Sequence, residues 1–202
     1  MNDIRLAAER ERVFALAAAS NGAVEVLSVA PNYRQYEIRL NVAAPVGTSS
    51  SYRVDSHHRL MMDLPDDFPA NGPICTFGKA IFVPNVYPSG VACIVDNLWV
   101  PSQHLDQVIC DLVEEIQAVN PNFHSVANQE AGRHLADPVF EQELRRRLGP
   151  PVLLIPPESP QTRVATIATI GQPVARAIQR ASASGVRSVG VAAAPRIRTT
   201  RH

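Results

Sequence analysis

Residues 82–101 read FVPNVYPSGVACIVDNLWVP, and the fold turns on how this stretch is read. It is apolar through Val83-Pro84-Asn85-Val86, turns at Tyr87-Pro88-Ser89-Gly90, and recovers as Val91-Ala92-Cys93-Ile94-Val95. Pro-Ser-Gly is a tight-turn signal, and the apolar run behind it is too short for a helix before Asn97 and Pro101 intervene. Cys93 therefore sits on a short extended segment after a turn, beside a loop holding the sole tryptophan, Trp99. A thiol placed there suits a nucleophile reached by another macromolecule. A cysteine between alanine and isoleucine is equally ordinary core filling. Local composition leaves both open.

Upstream of this stretch the pattern is that of strands. Val24, Val26 and Val29 alternate loosely, whereas Tyr36, Ile38, Leu40 and Val42 alternate strictly with Glu37, Arg39 and Asn41, marking a half-buried strand. After the turn-rich APVGTSS, a third strand is expected over 52–64 and a fourth over 74–82, with the rigid loop PDDFPANGP between them. His57 and His58 are adjacent, so a strand sends them to opposite faces and they cannot share one metal. Sequential strands of this kind pair as an antiparallel meander.

Helices flank the strands. Asp3 is positioned to cap a helix from Ile4 to Ala19 with a narrow buried stripe of Leu6, Arg10, Val13 and Ala17, closed by Asn21-Gly22. Downstream, Ser102 is the expected cap of an amphipathic helix in which Leu105, Val108, Ile109, Leu112 and Ile116 recur by threes and fours. Cys110 lies in it as a structural residue. A short helical piece is expected around 129–134, and Asp137-Pro138 opens a last helix through Phe140, Leu144 and Leu148.

Bulk numbers set the bounds. A chain of 202 residues holds one sizeable core. The expected division is a domain over 1–155 and an arginine-rich extension over 156–202. Formal charge is zero overall, which asks for no nucleic acid, yet residues 1–155 carry 18 acids against 12 bases and residues 156–202 one acid against seven arginines. Lys79 is the one lysine, beside 18 arginines. No apolar run approaches membrane-spanning length, and charged residues interrupt the N-terminus where a signal peptide would be apolar. Cys75, Cys93 and Cys110 form neither a disulfide framework nor a zinc spacing, so a reducing, cytoplasmic setting is expected.

The order helix, four-stranded meander, cysteine loop, two helices resembles the ubiquitin-conjugating enzyme family. That family places a catalytic cysteine eight residues after the asparagine of His-Pro-Asn, with a glycine three before the cysteine. Pro84-Asn85, Gly90 and Cys93 stand at that spacing, with Val83 where the histidine would be. Phe68-Pro69 through Pro73 resembles the family's Tyr-Pro-x-x-Pro-Pro loop, and Trp99-Val100-Pro101 its Trp-x-Pro. Residues 121–128, PNFHSVAN, are similar to its Pro-Asn-x-x-Ser-Pro-Ala-Asn. The resemblance covers residues 3–148 and implies an α+β fold with an N-terminal helix, an antiparallel meander, a catalytic-cysteine loop and C-terminal helices.

It also implies a chemistry without metal or cofactor. Cys93 would take a ubiquitin-like protein as a thioester from an activating enzyme and pass it to an amine on a protein substrate. Asn85 would donate toward the oxyanion or brace the loop. Ser125 falls at the family's gate position, with Asp96, Asn97 and His124 as neighbouring candidates. Arg5, Arg10 and Arg12 would give the first helix an exposed basic face for the activating enzyme. Val83, Ala70 at the ligase-gripping position, and the lysine-poor composition look like a bacterial relative, some of which act in antiviral defence. The alternatives are a non-catalytic adaptor of the same fold, an inert structural partner, and a cysteine peptidase using His104, His124 or His134 as base.

Overall fold

The computed structural model of the protein describes residues 2–93, 99–119, 121–123 and 126–157. Helix α1 (Asn2–Ala19) is followed by strands β1 (Val24–Val29), β2 (Gln35–Leu40), β3 (Ala44–Val46), β4 (Arg53–Asp55), β5 (His58–Asp63) and β6 (Ile74–Phe77). Helices α2 (Leu105–Ile116), α3 (Gln129–Leu135) and α4 (Pro138–Leu148) complete it. The extension beyond residue 157, including most of the arginine-rich segment, lies outside the described residues.

Strands β1, β2, β5 and β6 make one antiparallel sheet in that order. The expected α+β meander is present. Its alternation sends Tyr36, Ile38, Leu40, Leu60, Met62, Cys75 and Phe77 into the core, together with Leu105, Ile109 and Leu112 of α2. Polar residues of the same strands pair off across the sheet's outer face, Glu25 with Arg39 at 2.9 Å and Glu37 with Arg59 at 2.6 Å.

Three strand boundaries depart from the sequence reading. A hairpin of β3 and β4 intervenes, pairing Pro45 with Val54, where only a turn-rich segment was expected. The single strand expected over 52–64 breaks at Ser56-His57. There the His58 imidazole is buried against the carbonyls of Val42 and Asp55, at 3.1 and 3.0 Å, while His57 is exposed. The strand expected over 74–82 stops at Phe77, whose N–H donates to the Gly90 carbonyl, with the Gly78 N–H still reaching the Arg59 carbonyl.

The buried stripe of α1 is Leu6, Glu9, Val13 and Leu16 rather than one through Arg10. Glu9 is fully buried and fully engaged. Arg5 Nε lies 2.6 Å from its carboxylate, His104 Nδ1 2.7 Å, and the Leu105 N–H donates to it at 2.8 Å. One turn on, Arg12 grips buried Asp106 with two contacts of 2.9 Å. A buried charge is tolerated only when paired and hydrogen-bonded. Arg5 and Arg12, of the basic face expected on α1, supply that pairing and are only partly exposed. Arg10 is half-buried as well, stacked over Phe14 and Tyr33 with its guanidinium 4.8 and 5.5 Å from their ring centres.

The cap of α2 also moves. His104, not Ser102, precedes its first turn, and its N–H donates to Gln107 Oε1 at 3.0 Å while Glu9 takes the Leu105 N–H. A carboxylate there complements the helix dipole. Asp137 caps α4 as expected, accepting from the Val139 N–H at 2.9 Å with Pro138 in the first turn. Residues 152–155 form no strand, yet Val152 exchanges two hydrogen bonds with the Gln117 side chain, at 2.8 and 3.0 Å.

Glu115, on α2, is pushed from the ordinary 4.5 up to about 7, by desolvation first and the Asp111 charge second. Below pH 4.5 the folded and unfolded chains both keep this proton, and nothing is lost. Between about 4.5 and 7 only the unfolded chain releases it, so stability falls across that window and then levels. Glu115→Gln is expected to leave the denaturation midpoint unchanged at pH 4.5 and to raise it at pH 8. Equal midpoints at both pH values would refute the assignment.

Candidate active site

The site grows from the far edge of β6. Val91 bridges to Thr76, Ala92 to Val86, and the Ala92 N–H donates to the Cys75 carbonyl at 2.9 Å. Residues 91–92 thus continue the sheet for one step. Cys93 hangs off their end, its N–H donating to the Asn85 carbonyl at 2.8 Å and its side chain half-buried. The other two thiols are core. Burial drives Cys75 far up, and Cys110 goes up to about 12 through burial first and then Asp106.

The turn that delivers Cys93 depends on Gly90. Its φ is +92°, and a Cβ there would lie 2.4 Å from the Phe77 carbonyl oxygen. The same residue receives the Phe77 N–H at 2.8 Å and closes the turn by donating to the Tyr87 carbonyl at 2.8 Å. No side chain fits between the turn and β6.

Asn85 is 3% exposed, and its amide is used in both directions. Nδ2 donates to the Asn122 carbonyl at 2.9 Å, and Oδ1 accepts from the Asn122 N–H at 3.0 Å. Next to it, the Pro84 carbonyl accepts from Asn128 N–H at 2.7 Å, and Asn128 caps α3 through Oδ1 to the Ala131 N–H at 3.1 Å. The 82–93 loop is therefore tied at two points to the segment before α3. Val83, at the family's histidine position, is fully buried with Val86, Ile81 and Phe82. Apolar packing and these backbone ties hold the loop without an imidazole.

Ser125 and Asp96 lie outside the described residues, as do Asn97 and His124. Ser125 falls in sequence between the two anchored asparagines, Asn122 and Asn128. Trp99 packs on the loop after β5. Its Nε1 donates to the Pro69 carbonyl at 2.9 Å, its ring lies 5.4 Å from that of Phe68, and a Cβ on Gly72 would overlap it at 2.6 Å. The Phe68–Pro73 loop and Trp99 thus meet. His104 is engaged by Glu9, and His134 sits among aromatic rings, 5.1 Å from that of Phe140. Among the described residues no cluster of His, Cys, Asp and Glu could hold a metal ion, and no helix is long and apolar enough to cross a membrane. Asn128 and Asn122 went unassigned on sequence; an asparagine three before a buried alanine is the capping signal that marks the first.

The ubiquitin-conjugating enzyme family matches residues 16–147. The chain belongs to that family. Similar curated proteins include the SUMO-conjugating enzyme UBC9 of Caenorhabditis elegans, 35% identical over 37% of this chain and 46% of its own length. The Dictyostelium discoideum Sumo-conjugating enzyme ubc9 is 36% identical over 35% and 45%, and SUMO-conjugating enzyme SCE1 of Arabidopsis thaliana 34% over 40% and 52%. The matched region thus spans about half the length of these relatives. A similar solved structure is the E2 domain of a Toxoplasma gondii ubiquitin conjugating enzyme, with TM-score 0.46 and 20% identity over 69% of this chain and 96% of that one.

Gly90→Ala is expected to cost roughly 2–3 kcal/mol, since the new Cβ must displace backbone at a strained φ. The same change should alter the alkylation rate of Cys93 by iodoacetamide, while Gly149→Ala, which meets nothing within 4 Å, leaves that rate alone. An unaltered Cys93 rate in Gly90→Ala would show that the turn does not position the thiol.

Proposed function

We propose that the protein is a conjugating enzyme that accepts a ubiquitin-like protein on Cys93 as a thioester and passes it to an amine of a protein substrate. The observation that carries this is Cys93 itself, half-buried at the end of a bridged segment and hydrogen-bonded to the carbonyl of Asn85. Cys93 as thiolate attacks the thioester on an activating enzyme, and one C–S bond replaces another. An acceptor amine then attacks the new carbonyl, and Cys93 leaves as thiolate. The family supplies this mechanism, and its relatives above are named for SUMO, so a SUMO-like modifier is the first to try. Ser125 and Asp96 stay candidates for steering the incoming amine. The setting proposed is cytoplasmic. A bacterial origin with antiviral defence rests on Val83, Ala70 and the arginine-rich composition alone, and the eukaryotic relatives reported above lend it no support.

The double hydrogen bond to Asn122 favours bracing as the role of Asn85. Cys93→Ala should abolish charging, and Cys93→Ser should replace the reducible thioester by an oxyester that resists thiol reagents. Cys75→Ala and Cys110→Ala should still charge. Asn85→Ala, in the bracing role, lowers charging and transfer together, roughly tenfold each. Loss of transfer alone would assign its amide to the oxyanion. Charging that persists in Cys93→Ala would overturn the reading.

Contact with the activating enzyme is proposed through α1, but by a different face from the one the sequence suggested. Its outward apolar residues include Ile4, Ala7, Ala8, Phe14, Ala15 and Ala18, beside the acids Asp3 and Glu11, with Ile4 80% and Phe14 40% exposed. Reversing Arg5 or Arg12 would set a carboxylate against buried Glu9 or Asp106 and disturb the fold itself. Ala7→Glu with Ala15→Glu keeps those pairs and is expected to slow charging severalfold at an unchanged melting temperature. Charging at the parent rate would place the docking surface elsewhere.

A further inference from the structure

Of the 19 basic side chains in this protein, Lys79 alone is a primary amine. An arginine guanidinium stays charged and does not acylate at neutral pH. The amines open to a thioester are therefore Lys79 and whatever α-amino group the mature chain carries. Lys79 follows β6 in a turn pinned on both sides, by the Gly78 N–H to the Arg59 carbonyl at 2.9 Å and the Gly47 N–H to the Ala80 carbonyl at 3.2 Å. Its Nζ lies 2.5 Å from Asp55 Oδ2.

Asp55 is itself held. It ends β4, where its other carboxylate oxygen accepts from the His57 N–H at 3.3 Å. The Lys79 hydrogen bond, before any other influence, takes its carboxyl down to about 2. The pair borders a charged groove of about 410 Å³ on the sheet's outer face, lined by Glu37, Arg39, His57 and Arg59. Nothing in the mechanism proposed above uses this groove.

We propose that Lys79 is the enzyme's own latent acceptor and that its ion pair with Asp55 restrains it. This rests on the conjugating role proposed for Cys93. In self-modification the neutral Nζ attacks the thioester carbonyl, of its own or a second molecule. A C–N bond forms, the C–S bond to Cys93 breaks, Cys93 leaves as thiolate, and the amine gives one proton to solvent. An ammonium bound to a carboxylate offers no lone pair, so the pair must part first. Lys79 is 48% exposed in its side chain, and an exposed pair is a weak restraint. Its release is worth about two- to fivefold in rate. That is enough to bias acceptor choice toward substrate without forbidding self-modification.

The restraint is tested without any pathway partner, by acetylating the full chain with limiting N-hydroxysuccinimidyl acetate at pH 7.5. Lys79 labelling is read by mass spectrometry against an added one-lysine peptide. Asp55→Asn should raise the Lys79 ratio about two- to fivefold, and 1 M NaCl should raise the parent ratio toward the same value. The salt arm guards against an Asp55→Asn variant that folds poorly. An unchanged ratio in both arms overturns the role of Asp55. The acceptor role is read with a SUMO, its activating enzyme and ATP, scoring only adducts that survive thiol reduction. Self-adduct should map to Lys79, increase in Asp55→Asn, and vanish in Lys79→Arg. Adduct persisting at another amine in Lys79→Arg, or none forming on a charged Asp55→Asn enzyme, overturns it. Failure of Cys93 to charge at all would instead sink the conjugating role, while the acetylation ratio still judges the pair.

Discussion

Asn85 exchanges two hydrogen bonds with the backbone of Asn122, and the candidate active site depends on that exchange. The loop of residues 82–93 runs beyond the last strand and meets it through a single bridge, Val91 to Thr76. A loop of that length held only by so short a ladder has many conformations of similar energy. Anchoring Asn85 to one side, Pro84 to Asn128, and Gly90 to Phe77 removes that freedom at three points. Each anchor is a backbone group meeting a fixed partner. The cysteine inherits its position from them.

Replacement of the family's histidine by Val83 is intelligible in those terms. An imidazole inside this loop would need a partner for each ring nitrogen, or it would leave a buried polar atom unsatisfied. Valine asks for none and packs with Ile81, Phe82 and Val86. What it gives up is direction, since dispersion contacts do not fix an angle. The asparagine and the glycine, which do, are kept.

Period and punctuation carried most of what could be read beforehand. Strict alternation through Tyr36, Ile38 and Leu40 located β2, the three-four spacing from Leu105 to Ile116 located α2, and Asp137-Pro138 marked the start of α4. The Pro-Ser-Gly turn placed Cys93 on a short extended piece. The hairpin of β3 and β4 escaped because three-residue strands have no period to detect, and Pro45 argues against a strand. The charged residues were the deeper failure. Position 9 lies on the same face as Leu6, Val13 and Leu16, yet a glutamate there reads as solvent-facing. Its burial is bearable only because Arg5, His104 and the Leu105 N–H converge on it, and two of those three come from a part of the chain that local reading cannot join to α1. Arg5 and Arg12, expected on sequence to form a docking face, are the other half of the same arrangement.

The reach of Glu9 has a consequence for how the chain is made. Its partners His104 and Leu105 lie 95 and 96 residues further on. A chain emerging from the ribosome exposes α1 long before anything exists to receive its buried carboxylate, or the carboxylate of Asp106 to receive Arg12. Until α2 arrives, Glu9 keeps its water, and the helix has no reason to prefer the sheet over solvent on that face. A helix synthesised ahead of the whole sheet is thereby among the last elements to be locked. A nascent or truncated product ending before residue 104 carries a helix without these partners, left to contacts such as those of Leu6, Val13 and Leu16 and of Arg10 on Tyr33.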